Sequence, residues 1–227
     1  MKSFFRVRGR ILALVVLVMF VITLLQAGIS YTIAEGALRN LLPAILSRSL
    51  DALVPIRVAA IVLLVALWLA KSRRALFRTI NAVNAFFTLV LVIHTISLIS
   101  VLFGFSSHAI AVLMLDVILM AMSNVLIFSI WYWIIDPPGV EEGHGANAPW
   151  EILFPQRAST LPGYESWVPH YPDYVFLAFT TSVAFSPTDA APLSRRAKML
   201  MLLQVAISLV TVTGIAGGAI NILAGSH

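Results

Sequence analysis

The sequence predicts an all-α, polytopic helical membrane protein with about five transmembrane helices and one re-entrant hairpin. Three observations carry that expectation. Apolar residues fill 60% of the 227 positions and charged residues only 11%, whereas ordinary globular domains are roughly a quarter charged. The apolar residues gather into blocks of about 20 or more, the length that crosses a hydrocarbon core. The basic residues stand beside these blocks and not on an aromatic-interleaved soluble face. The net charge of +5 therefore serves orientation in a lipid bilayer, not nucleic-acid binding. The chain has no cysteine, which excludes disulfides, thiol catalysis and Cys-type metal sites. It shows no internal repeat, which argues against an inverted-repeat transporter.

Residues 1–135 read as a four-span bundle. Lys2, Arg6, Arg8 and Arg10 precede an unbroken apolar run from Ile11. A secretory signal with a poor cleavage site near Gln26-Ala27-Gly28 is one reading. The run continues to Ile33, so an uncleaved first span is favoured. Residues 34–52 mix Glu35, Arg39, Arg48 and Asp51 with Leu38, Leu41, Leu42, Ile45 and Leu46. That spacing predicts an interfacial helix interrupted near Pro43. Asp51 then caps a second span from about Ala52 to Ala70, closed by Lys71, Arg73, Arg74 and Arg78. The third span covers about Ile80 to Phe103, and a tight turn at Gly104 to Ser107 leads to the fourth, to Ile135. Trp131, Tyr132 and Trp133 at its end read as an interfacial aromatic belt.

Residues 136–173 hold seven of the eleven prolines, with Trp150, Tyr164, Trp167 and Tyr171, and read as an extramembrane loop. Residues 174–227 supply a short apolar segment and a last span from about Ala197 to Leu223. A cytoplasmic N-terminus at the inner (plasma) membrane places the basic clusters at 2–10, 71–78 and 195–198 inside. Only Arg39, Arg48 and Arg57 then lie on the other side. In this topology residues 174–192 dip into the membrane from the cytoplasmic face and return.

From Tyr174 to Asp189 the chain reads Y-V-F-L-A-F-T-T-S-V-A-F-S-P-T-D, followed by P-L-S-R-R-A-K-M-L and a long apolar helix. This order resembles the pore helix, filter and inner helix of two-span potassium-channel modules, over about fifty residues. The D-P-P-G, L-F-P-Q, F-S-P-T-D and P-L-S-R-R-A-K motifs also resemble a group of bacterial integral membrane proteins of unassigned activity. The channel resemblance implies that Thr180, Thr181, Ser182, Val183, Ala184, Phe185, Ser186 and Asp189 are filter-like, in a short helix followed by extended backbone stopped at Pro187. It also implies a symmetric homo-oligomer, a tetramer, permeated by monovalent cations. Asp173 and Asp189 would attract cations at the hairpin's two ends. Ala184 and Ser186 stand where the potassium filter has glycines, and Pro187-Thr188 shifts the acidic residue. Glycine adopts filter backbone angles that cost other residues roughly 1 kcal/mol or more. Weakly selective or degenerate cation permeation is therefore expected, not potassium selectivity. The alternatives are a non-conducting structural or sensory membrane protein and a small-solute transporter.

Ionisable groups inside spans mark function by default. His94 and Asp116 each lie about eleven residues from the middle of the Gly104 turn, so both sit about 16 Å deep. They are expected to pair, either as a proton-responsive relay or as a bond holding two helices together. Asn81, Asn84, Ser123 and Asn124 read as interhelical hydrogen-bonding groups. Gly214 and Gly218 form G-x-x-x-G, a helix-contact face or a hinge. Glu141, Glu142 and His144 lack a third firm ligand, so no metal site is expected. No P-loop, nucleophile elbow or H-E-x-x-H is present, and no catalytic residue or cofactor is expected.

Overall fold

The computed structural model describes residues 2–35, 44–70, 73–102, 110–136, 150–158, 162–164 and 167–225. Within them the chain runs α1 (Lys2–Glu35), α2 (Ala44–Leu69), α3 (Arg73–Leu102), α4 (Ile110–Ile135), β1 (Ile152–Leu153), α5 (Pro155–Ala158), α6 (Tyr171–Ala184), β2 (Ala191–Pro192) and α7 (Arg195–Gly225). Among the described residues, four stretches are long and apolar enough to cross a membrane: Ala13–Ser30, Ala75–Leu98, Met114–Ile135 and Arg195–Gly214. Pro55–Leu69 in α2 is apolar but shorter. By length and composition this is a multi-pass membrane protein.

The helices are patterned inside out. On α1 the buried stripe is Val15, Met19, Ile22, Gln26 and Ile29, while Leu14, Leu17, Phe20 and Leu24 on the other face are exposed. On α7 the buried stripe is Ala197, Met201, Gln204, Ser208 and Thr211, and the exposed face carries Met199, Leu202, Leu209 and Val212. Alternating steps of four and three residues make a seam along one side of a helix. In water the polar residues would face outward. Here Gln26, Gln204, Ser208 and Thr211 face inward and leucines face out, as a lipid surround requires.

Two expectations about the first half change. α2 begins at Ala44 and runs without a break to Leu69, so Asp51 lies inside the helix and does not cap it. Residues 44–52 thus join α2 and do not form a separate surface helix. Residues 36–43, with Pro43, lie outside the described residues, as do the Gly104 to Ser107 turn and Glu141, Glu142 and His144. The aromatic belt also differs. Tyr132 and Trp133 are buried, and the Tyr132 hydroxyl finds its acceptor, Gln204 Oε1, inside the bundle.

The chain divides into two compact units, Met1–Val15 with Val125–Ala206, and Val16–Asn124 with Ile207–His227. In the second, Asn124 Nδ2 donates to Ser208 Oγ at 2.8 Å, joining α4 to α7 as the asparagine's position predicts. Gly214 is packed against α3 and α4: a Cβ there would meet Leu98 Cδ2 at 3.1 Å and Val117 Cγ2 at 3.6 Å. This close approach makes Gly214 a helix-contact position. Gly218, one turn further, lies within α7.

Gly214→Leu is expected to destabilise the protein by about 1–3 kcal/mol through overpacking. Gly214→Ala should stay near wild type, since the far end of the Leu98 side chain can give way. Thermal unfolding of both variants in detergent checks this.

Candidate functional site

The first unit holds the filter-like stretch. α6 has 14 residues, about 21 Å of helix, against roughly 30 Å of hydrocarbon core. Its start is well defined. Pro172 occupies the first turn, where its missing N–H costs nothing, and the Asp173 carboxylate accepts the His170 backbone N–H at 2.6 Å. Asp173 is thus engaged in closing the helix end. Tyr171, Tyr174, Leu177, Ala178, Thr181 and Ser182 form its buried face.

Three sets of hydrogen bonds fix α6. Ser129 Oγ on α4 lies 2.8 Å from the Tyr171 hydroxyl. Gln204 on α7 accepts a bond from the Tyr132 hydroxyl through Oε1 and donates to the Ala178 carbonyl at 2.7 Å through Nε2. One glutamine thereby ties three helices together. At the end of α4, Asp136 is fully buried. Its carboxylate accepts from Arg157 Nη1 at 2.9 Å and from the Tyr174 hydroxyl at 2.7 Å. The same Nη1 reaches the Ile152 carbonyl at 3.2 Å, and the guanidinium lies 5.4 Å from the Trp150 ring centroid. Burial pushes the Asp136 carboxyl above the usual carboxylate range, while the Arg157 charge and the Tyr174 hydroxyl pull it back.

Beyond α6 the chain returns to where it began. Phe154 stacks edge-on against Tyr174 at 5.7 Å, so the first turn of α6 lies beside β1. β2 pairs antiparallel with β1, Ile152 opposite Pro192 and Leu153 opposite Ala191. Leu193 N donates to the Glu151 carbonyl at 2.9 Å, and the Ser194 hydroxyl bonds the Glu151 carboxylate just before α7 starts. Residues 171–192 therefore form a hairpin that leaves and rejoins the same two-stranded clasp.

Within that hairpin the filter-like residues are distributed unexpectedly. Thr180, Thr181, Ser182, Val183 and Ala184 are the last residues of α6 and not extended backbone. Thr180 Oγ1 bonds back to the Phe176 carbonyl at 3.0 Å, a contact only a helix offers. The helix ends at Phe185, whose φ of 54° is left-handed, so the stop comes before Pro187. Val183, Ala184, Phe185 and Ser186 are exposed, while Thr181 and Ser182 are buried. Asp189 lines a shallow, open pocket of about 420 Å³ with Leu153, Pro155 and residues 187–192. Partial burial raises its carboxyl, and the Asp173 charge adds to the rise.

The second unit holds the intramembrane polar residues. His94 and Asp116 are both buried, but the partner of His94 is Ser30 on α1, with Oγ and Nε2 3.3 Å apart. The expected bond to Asp116 is not made. Equal depth sets two residues level but does not turn them toward each other, since each residue rotates the face by about 100°. Beside Ser30 stands Arg57, which the charge pattern assigns to a span end. Its Nη1 donates to the Gln26 carbonyl at 2.9 Å and to Ser30 Oγ at 3.0 Å, and the side chain is fully buried. The overlooked signal was its place after Pro55, inside an apolar helix rather than beyond one.

Removing either partner of the Asp136–Arg157 pair, by Asp136→Asn or Arg157→Met, should cost about 3–5 kcal/mol by leaving a buried charge alone. The double variant should recover part of that loss in thermal unfolding. By the same measurement, His94→Ala should couple to Ser30→Ala, and its effect should add to that of Asp116→Ala within about 0.5 kcal/mol. Compared with protein-family models, curated proteins and solved structures, the chain matches none.

Proposed function

We propose that this multi-pass membrane protein passes monovalent cations with weak selectivity, through a pore lined by residues 171–225 of a symmetric homo-oligomer, a tetramer by resemblance. The observation that carries the reading is the clasped hairpin: a helix too short to cross, beginning and ending at β1–β2 and followed directly by a long apolar helix. Non-helical backbone at membrane depth is tolerated only where protein buries it or water lines it. A hairpin held at its base and exposed at residues 183–186 meets that condition when copies of the chain surround an axis. In this arrangement the N-terminus is cytoplasmic, the hairpin dips from the inner face, and Asp189 stands at the mouth. Its carboxylate raises the local cation concentration. The helical conformation of Thr180–Ala184 removes the stacked carbonyl rings of a potassium filter, which supports weak selectivity. No catalytic step is part of the proposal.

A non-conducting structural role draws on one specific observation. Ser129, Asp136 and Gln204 hold α6 against α4 and α7 of the same chain, as a hairpin that packs its own bundle would be held.

Reconstituted into planar bilayers, the full chain is expected to give cation currents, and Asp189→Asn to lower the conductance about twofold or more at low salt, where screening is weak. Silent bilayers from a folded, oligomeric preparation would establish the structural role instead.

A further inference from the structure

Arg57 is the largest fully buried side chain among the described residues, and its hydrogen bonding is one-sided. Nη1 serves two acceptors, the Gln26 carbonyl and Ser30 Oγ. Nε and Nη2 are buried without a hydrogen-bond partner. These two nitrogens share the edge of the guanidinium that offers two parallel N–H donors, the geometry that carboxylates and phosphates accept as a pair. Among the described residues the ion pair is Arg157 with Asp136, and no carboxylate pairs with Arg57. A charge held in apolar surroundings is expensive unless an opposite charge meets it. Water-facing arginines answer this with solvent. This one, at 0% exposure, has no such recourse.

The surroundings are organised around the occupied edge. Gln26 is held by its Nε2 bond to the Phe87 carbonyl at 2.9 Å, which fixes the α1 segment that receives Nη1. Ser30 bridges Arg57 to His94, whose Nδ1 is also buried and unpartnered. α1, α2 and α3 thus each contribute a polar side chain to one cluster, whose unspent charged donors are Arg57 Nε and Nη2 beside the unspent Gln26 Oε1 acceptor and His94 Nδ1. The positive charge and paired donors of Arg57 favour a negative ligand.

We infer that Arg57, steadied by Gln26 and Ser30, forms an intramembrane binding site for an anion that presents a pair of oxygens, a carboxylate or a phosphate, through its Nε and Nη2 edge. The site lies in the second unit and does not depend on the pore reading, so either can fail alone. Both a soluble anion and a lipid headgroup carry the chemistry, and the test separates them.

The full chain, purified and delipidated in a neutral detergent, is titrated during thermal unfolding with sodium acetate, sodium phosphate, or dihexanoyl phosphatidylglycerol below its micelle concentration. Chloride keeps the ionic strength constant. At least one ligand should raise Tm saturably, by about 4 °C or more at a hundredfold excess over half-saturation. A response to acetate or phosphate identifies a soluble anion; a response to the lipid alone identifies a headgroup. Arg57→Gln should abolish the shift. Arg57→Lys, a point charge without the paired edge, should weaken it at least tenfold in half-saturating concentration. No shift with any of the three ligands overturns the inference. So does an undiminished shift in Arg57→Lys, which decides the matter even where Arg57→Gln does not fold.

Discussion

A chain whose outer face is apolar must satisfy its polar groups against itself, and most features of this structure follow from that constraint. Lipid offers no hydrogen bonds, so each inward-facing polar side chain needs a protein partner. The seams of α1 and α7 show the result, with Gln26, Gln204 and Ser208 buried where leucine would serve in a soluble bundle. Gln204 is the most fully used. Its amide spends one end on Tyr132 and the other on the Ala178 carbonyl. A helix carbonyl that already accepts within its helix can take this second donor because the oxygen has two lone pairs. The short helix α6 is thereby positioned by backbone as well as side chain, and its register against α7 cannot slip without orphaning the glutamine.

The same constraint explains why residues 180–184 form a helix. As helix, these residues satisfy their N–H and C=O groups within α6 itself. Thr180 adds its own hydroxyl to the helical arrangement. Glycines at positions 184 and 186 would open other backbone angles; alanine and serine do not. The left-handed turn falls at Phe185, three residues after the last buried position, Ser182, and two before Pro187.

Much of the fold is legible from the residues. The apolar blocks locate α4 and α7 and the C-terminal ends of α1 and α3, because burying such a block is strongly favourable, whereas α1 and α3 begin earlier, at Lys2 and Arg73, inside their basic flanks. The interhelical role of Asn124 is legible for a related reason: an amide inside a span has few options besides another helix. What could not be read are the features set by rotation and by distant partners. The depth of His94 follows from counting, but its facing toward Ser30 depends on how α1 packs, which no local pattern encodes. Asp136 and Arg157 are twenty-one residues apart in a proline-rich stretch without periodicity. Their pairing, and the clasp of Ile152 with Pro192, are long-range facts with no local signature. Helix α2 also swallowed a cap candidate, since Asp51 has the composition of a helix start but lies in a segment whose apolar neighbours continue the helix through it.

The two buried arginines set the remaining physics in relief. Arg157 meets its desolvation with a carboxylate, a backbone carbonyl and the faces of Trp150 and Phe154. Its charge is cancelled locally, and what it gains is the anchoring of the hairpin base to the end of α4. Arg57 has only neutral acceptors, both reached by one nitrogen. Two neutral hydrogen bonds offset part of the cost of burying a guanidinium, but they leave the net charge standing, and in a low-dielectric surround that charge acts over several ångströms. Evolution of a purely structural bond between α1 and α2 would be served by glutamine or asparagine, which donate to a carbonyl without carrying a charge. One arginine is neutralised by a carboxylate; the other keeps its charge among neutral acceptors.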